Sequence, residues 1–221
     1  MEERSTMLKP DALLFDMDGT LWDGVNAYAQ GFNDFFKAHK INRTVTKKDL
    51  FKYMGMEEEP FLAMILPEFT AIERKAVYQE IIELQYKRIE TDGGELYEGV
   101  KAGLSKLAEK HKLFIVSNCP EFTIQYFMDW AHIGAYITDT MAHGMNYRPK
   151  HENIKFLIDK YHLQAPIYIG DTDSDRKQCN LLDIPFGFVS YGFGDTEDYN
   201  LRFDSFDELT NYFYTDTLKT I

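Results

Sequence analysis

The chain of 221 residues reads as an α/β protein. The expected architecture is a doubly wound, Rossmann-like parallel sheet with a small all-helical subdomain inserted after the first strand. Three observations predict it. Short apolar runs of strand length recur, several of them apolar on both faces, as parallel strands buried between helix layers are. Polar segments with helical spacing alternate with those runs. One long interval, roughly 24–95, carries helical patterns and no convincing buried strand, so it breaks the alternation.

The first run, 12–15, ends abruptly at Asp16 and Asp18 and a Gly19-Thr20 turn. Helical patterns follow over 25–40, 47–54, 58–66 and 72–89. The last places Ile72, Ala76, Ile81, Ile82, Leu84 and Ile89 among charged residues, as an amphipathic helix does, and stops at Thr91-Asp92-Gly93-Gly94. The alternating pattern then resumes, with helices over 100–110, 121–131, 152–161 and 173–182. Strands are expected at 113–116, 135–137, 167–169 and 184–189. This organisation assigns 1–23 and 96–221 to the α/β core and 24–95 to the helical subdomain.

Composition sets outer limits on function. With 44% hydrophobic and 27% charged residues the chain is ordinary for a globular protein. A formal net charge of −12 disfavours nucleic acid, which is bound by clustered Lys and Arg. An anionic small substrate stays compatible, because local charge decides that. No apolar stretch approaches the length of a signal sequence or a membrane span, so a cytoplasmic protein without membrane contact is expected. Cys119 and Cys179 read as reduced thiols.

The chemistry gathers at strand ends. A buried strand that delivers two acids to its C-terminal tip puts them where open α/β sheets bind ligands. Neighbouring carboxylates repel and need a cation or a shared proton, which points to a divalent-metal site for phosphate chemistry. Ser117 and Asn118 come directly after the 113–116 run. They read either as phosphoryl-oxygen ligands or as the cap of the next helix. At 167–175 a strand and a glycine turn lead into Asp171, Asp173 and Asp175. Asp171 takes the tip, Asp175 lies one helical turn on, and Asp173 reads as a helix cap. Competing chemistries fail on spacing. No His/Cys cluster has zinc spacing, Gln125 stands where a cysteine phosphatase needs Arg after Cys119, and no phosphate-binding P-loop motif occurs.

The segment LLFDMDGTLW, 13–22, resembles the first motif of the haloacid dehalogenase superfamily, four apolar residues followed by D-x-D-G-T. Ser117-Asn118 is similar to its second motif, and Gly170-Asp171 through Asp175 to its fourth. The string Lys150-His151-Glu152-Asn153-Ile154, K-x-E-x-I, is similar to its third; Arg148-Pro149 offers a rival register. Glu98-Gly99-Val100 resembles the family's return into the core, with glutamate in place of the usual proline. The run from Ile184 to Gly194 resembles phosphoglycolate-phosphatase-like members, many of whose relatives carry a helical cap after the first motif.

This resemblance implies a Mg²⁺-dependent phosphatase for a small phosphorylated metabolite. Asp16 would be the nucleophile that forms an aspartyl-phosphate, and Asp18 the acid and base that distinguishes phosphatases from dehalogenases. Thr20, Ser117, Asn118 and Lys150 would bind the phosphoryl group. Asp16, Asp18 (through its backbone carbonyl), Asp171 and Asp175 would form the Mg²⁺ site. A phosphomutase of the β-phosphoglucomutase type shares this core and is the alternative enzyme. A non-catalytic phospho-receiver or binding module is the alternative of another class. Substrate and oligomeric state are left open.

Overall fold

The computed structural model describes residues 9–215 except 52 and 55–57. In chain order the elements begin with β1 (Ala12–Phe15), β2 (Trp22–Asp23), α1 (Val25–Ala38), α2 (Lys47–Phe51), α3 (Glu58–Ile65), α4 (Ala71–Thr91) and β3 (Glu95–Leu96). They continue with α5 (Val100–Leu107), β4 (Lys112–Ser117), α6 (Thr123–Ala131), β5 (Asp139–Ala142), α7 (Lys150–Tyr161) and β6 (Pro166–Gly170). The last are α8 (Asp173–Asn180), β7 (Phe186–Val189), β8 (Leu201–Phe203) and α9 (Phe206–Tyr214).

Six strands form one parallel sheet in the order β5-β4-β1-β6-β7-β8. Every residue of β1 is buried, because β1 lies at the centre with β4 on one side and β6 on the other. That explains its uninterrupted apolar run. The register aligns the strand tips. Phe15 faces Ile115 of β4 and Ile169 of β6, so all three strands end at one level. Helices cover both faces. One apolar cluster holds Leu13, Phe15, Ile115 and Ile169, and the opposite one Leu14, Phe114 and Tyr168, as the two-residue period of a strand requires.

Helices α1 to α4 share a separate apolar cluster that includes Phe32, Phe35, Phe36, Leu50, Leu62 and Ile81. The chain enters and leaves this group through a two-stranded antiparallel ribbon, β2 against β3, in which Trp22 pairs with Leu96. Trp22 is fully buried, its ring 4.6 Å from Phe127 and 5.7 Å from Trp130 of α6. That packing fixes the ribbon to the sheet's helical cover. The long helix α4 starts at a capping box, Thr70 with Glu73, which satisfies first-turn N–H groups. It lies against α1 at Gly31, where an added Cβ would stand 2.4 Å from Gln85 Cγ and 2.9 Å from the Gln85 backbone nitrogen.

The strand expected at 135–137 is not one. Residues Gly134–Tyr136 form a 3₁₀ turn, and the strand is β5, with the sequence DTMA. β5 is an edge strand, paired only with β4, so it needs no two-sided apolar run. Its Asp139 accepts from Lys160 at 2.7 Å and Tyr161 at 3.0 Å. The apolar pattern does not mark β2, β3, β8 or α9. The three strands are two or three residues long, too short for an alternation to register.

Because the α1–α4 contact depends on a missing side chain, Gly31→Ala should push the two helices apart. A loss of about 1–3 kcal/mol is expected from overpacking, measured by chemical denaturation. An unchanged midpoint would contradict the close approach.

Candidate active site

The equal height of three neighbouring strand ends assembles the site. Asp16 comes directly after β1, and its N–H donates to the Ile169 carbonyl of β6 at 2.8 Å. Ser117 is the last residue of β4, and Asp171 the first after β6. After β1 the backbone turns sharply, the Leu21 N–H returning to the Met17 carbonyl at 2.9 Å. Gly19 sits in this turn at φ 85°, and a Cβ there would lie 2.2 Å from Asp171 Oδ2. Glycine is therefore required twice over, by its conformation and by the approach to Asp171.

Asp16, Asp171 and Asp175 are all buried, and each offers one oxygen within 4.8 Å of the others. Lys150, at the start of α7, is buried with them. Its Nζ donates to Asp16 Oδ1 at 3.0 Å and to Asp175 Oδ1 at 2.6 Å. The other Asp175 oxygen accepts from the Thr172 N–H at 3.2 Å and the Thr172 hydroxyl at 2.6 Å, a capping box at the head of α8. Asp171 Oδ2 accepts the backbone N–H groups of Phe193, at 2.6 Å, and Gly194, at 3.3 Å. Asp171 Oδ1 is buried without a hydrogen-bond partner. An orphaned carboxylate oxygen between two other acids, in an all-oxygen donor set, is what a hard divalent cation takes.

The proton affinities reflect this crowding. Burial pushes Asp16 up to about 6 although Lys150 pulls it down. Burial, and then the charge of Asp16, push Asp18 up to about 7. Burial and the charges of Asp16 and Asp175 hold Asp171 well above the usual carboxylate range. For Lys150 burial works against the charge, but Asp16 and Asp175 outweigh it and keep the ammonium firmly protonated.

The acids border a cavity of about 120 Å³. Asp16, Asp18, Ser117, Asn118, Lys150 and Asp175 line its floor, and side chains from α1 to α4 cover it. Asp18, open to this cavity, accepts the Tyr28 hydroxyl of α1 at 2.9 Å. Its carboxylate is not one of the three clustered acids, which leaves its backbone carbonyl as its possible ligand atom. Thr20 does not line the cavity. The tight turn tucks it into the interior, its hydroxyl fully buried and unpartnered. Arg148 is exposed and turned to Glu152, so Lys150 is the cation at the acids. Thr172, not Asp173, caps α8; Asp173 pairs on the surface with Arg176 at 2.8 Å and Lys177 at 2.8 Å.

Sequence reasoning missed Tyr28, Thr172 and the Phe193-Gly194 amides. Tyr28 gave no signal, since its role depends on how α1 packs over the site. Gly192 did. A Cβ there would lie 2.4 Å from Asp171 Cβ, and paired glycines after a strand mark such close backbone approaches.

The family model for haloacid dehalogenase-like hydrolases matches residues 13–189. A phosphoglycolate phosphatase of Xanthomonas campestris pv. campestris is 23% identical over 192 residues, spanning 83% of this chain and 85% of that protein. The fold is similar to the crystal structure of a predicted phosphoglycolate phosphatase from Haemophilus somnus, with a TM-score of 0.79 and 18% identity, over 92% of this chain and 97% of the other. It is equally similar to a haloacid dehalogenase-like hydrolase from Streptococcus pneumoniae, with a TM-score of 0.79 and 20% identity, over 93% and 99% of the two chains.

The raised carboxylates make a stability prediction for the cation-free protein. Between the unfolded value of 3.8 and the folded values of about 6 and about 7, the folded chain binds more protons than the unfolded one. Stability must therefore fall as pH rises through this window. Asp173, held down to about 2, acts below this window. In the presence of a chelator the melting temperature should be higher at pH 5.5 than at pH 8, each kcal/mol counting for roughly 2–4 °C. An added divalent cation should offset the loss at pH 8, where the carboxylates are ionised. Equal melting temperatures at both pH values in chelator would overturn the electrostatic account.

Proposed function

This chain belongs to the haloacid dehalogenase-like hydrolase family, and within it we propose a Mg²⁺-dependent phosphatase that acts on a small phosphorylated metabolite through an aspartyl-phosphate. The observation that carries this reading is the pair Asp16 and Asp18. One buried acid sits at the tip of β1 beside a lysine. A second, two residues on, opens to the cavity and is held near neutral proton affinity. An acid poised near 7 suits a group that must give and then take a proton. The phosphoglycolate phosphatase named among the relatives supports the same reaction class.

In the first step an Asp16 oxygen attacks phosphorus in line. The Asp16–phosphorus bond forms, the bond to the leaving oxygen breaks, and Asp18 gives that oxygen its proton. In the second step water attacks the same phosphorus, Asp18 takes the water's proton, and Asp16 is released as a carboxylate. Each residue ends as it began. Ser117, Asn118 and Lys150 would hold the phosphoryl oxygens, Lys150 fixed for that purpose by Asp175. Asp16, the Asp18 carbonyl and Asp171 would hold Mg²⁺, with Asp175 supporting the site. When bound, the ion neutralises charge on the transferring group and on the crowded acids. Residues 24–95 would act as the cap that excludes water and reads the alcohol.

Purified protein should release phosphate from a generic aryl phosphate when Mg²⁺ is present and stop when it is chelated. Asp16→Asn should lower kcat by about 10³-fold or more while circular dichroism stays unchanged. Full activity in that variant would sink the mechanism. Asp18→Asn should separate leaving groups. Alkyl phosphates, whose alkoxides need a proton, should lose about 10²–10⁴-fold, and an aryl phosphate much less. Equal losses with both would remove Asp18 as the acid.

A further inference from the structure

The half of the cavity away from the acids has a composition that phosphoryl transfer does not require. Phe32 of α1, Tyr53 after α2, Phe61 of α3 and Tyr78 of α4 line it, with Glu58 at the first turn of α3. The rings form one connected set. Phe32 lies 5.9 Å from Phe61, edge to face, and 6.5 Å from Tyr78, stacked; Tyr53 lies 6.4 Å from Phe61. Glu58 and Phe61 are three residues apart on α3 and so share a helix face. The charge of Glu58 also acts on Tyr78, another lining residue.

Glu58 is partly buried, and among the described residues no hydrogen bond or ion pair holds its carboxylate. Among the described residues His143 and Lys75 are the basic side chains close enough to influence it, and neither lines the cavity. Among the described lining residues the only cation is Lys150, which is already engaged by Asp16 and Asp175. An anionic alcohol, such as a hydroxy acid, would meet the Glu58 carboxylate with no unengaged cation among the described lining residues to offset it. A cation meets the reverse. Ring faces attract an ammonium within about 6 Å of the centroid, and the carboxylate completes its neutralisation.

We propose that the substrate is the phosphomonoester of an amino alcohol, its phosphate at Asp16 and its ammonium beside Glu58 among Tyr53, Phe61 and Tyr78. This rests on the phosphatase reading and narrows it. The alcohol's charge is chosen by α1 to α4, independently of the acids that act on phosphorus.

The test compares phosphocholine, phosphoethanolamine, glycerol phosphate, phosphoglycolate and an aryl phosphate with the full-length protein in Mg²⁺. The amino-alcohol esters should exceed phosphoglycolate in kcat/KM by about tenfold or more. Glu58→Gln should cut the ratio of phosphocholine to glycerol phosphate by about tenfold, mainly through KM. Glu58→Lys should reverse the order in favour of phosphoglycolate. Wild-type preference for phosphoglycolate or glycerol phosphate overturns the inference, and so does a ratio that neither Glu58 variant moves. Hydrolysis of the aryl phosphate in such a case leaves the phosphatase reading standing and removes this inference alone. No hydrolysis of any ester, the aryl phosphate included, removes both.

Discussion

Lys150 stands between Asp16 and Asp175, 3.0 Å from one and 2.6 Å from the other, with all three side chains withdrawn from water. Four acids, Asp16, Asp18, Asp171 and Asp175, meet at this edge of the sheet, and among the described residues Lys150 answers them. In a low-dielectric interior such an imbalance is costly unless each charge has a fixed partner. Each acid does have one. Asp175 is held by Thr172, Asp171 by two backbone amides, Asp18 by Tyr28, and Asp16 by Lys150. Among the described residues, Asp171 Oδ1 is the fully buried carboxylate oxygen without a partner. The arrangement is complete as a scaffold and short of positive charge, a shortfall that a divalent cation would relieve.

The scaffold is a product of register. Parallel strands all point their C-termini one way, and the pairing of Phe15 with both Ile115 and Ile169 puts three successive tips side by side. No loop has to find its position, because the sheet's hydrogen bonds already specify it. The loops supply close approach instead. Gly19 and Gly192 bring backbone within contact of the Asp171 side chain, where any Cβ would collide. The aromatic cover of α1 to α4 reaches the edge at two points, through Tyr28 on Asp18 and through Phe51, whose ring lies 4.9 Å from Phe193. Phe193 is the residue whose amide holds Asp171, so α1 holds one acid directly and α2 touches a residue that positions another.

Legibility in the sequence obeys the same physics. Strands buried on both faces, β1, β4, β6 and β7, announce themselves as apolar runs. The edge strand β5 does not, and the apolar residues just before it mimic a strand that is not there. Asp16 and Asp171 are legible because an apolar run stopping at an acid has few other meanings. Lys150 is not legible from residue type, since the exposed Arg148 is as good a cation; burial between two acids is what separates them. Thr20 sits within the recognisable first motif yet is tucked inward by the turn that Gly19 makes. Tyr28 and the Phe193 amide are invisible because their roles arise from packing across long stretches of chain.

The two halves of the cavity answer to different constraints. The acid half is tied to the sheet, so its residues keep their geometry as long as β1, β4 and β6 keep register. The other half comes from helices that carry their own apolar core and join the sheet through a two-residue ribbon. Side chains there can change without disturbing a single hydrogen bond of the sheet. Kinship at 23% identity therefore transfers the reaction edge far more securely than the alcohol it accepts. Among the described lining residues α1 to α4 contribute one carboxylate beside aromatic rings, a balance that belongs to this chain's own helices and has to be reasoned from them.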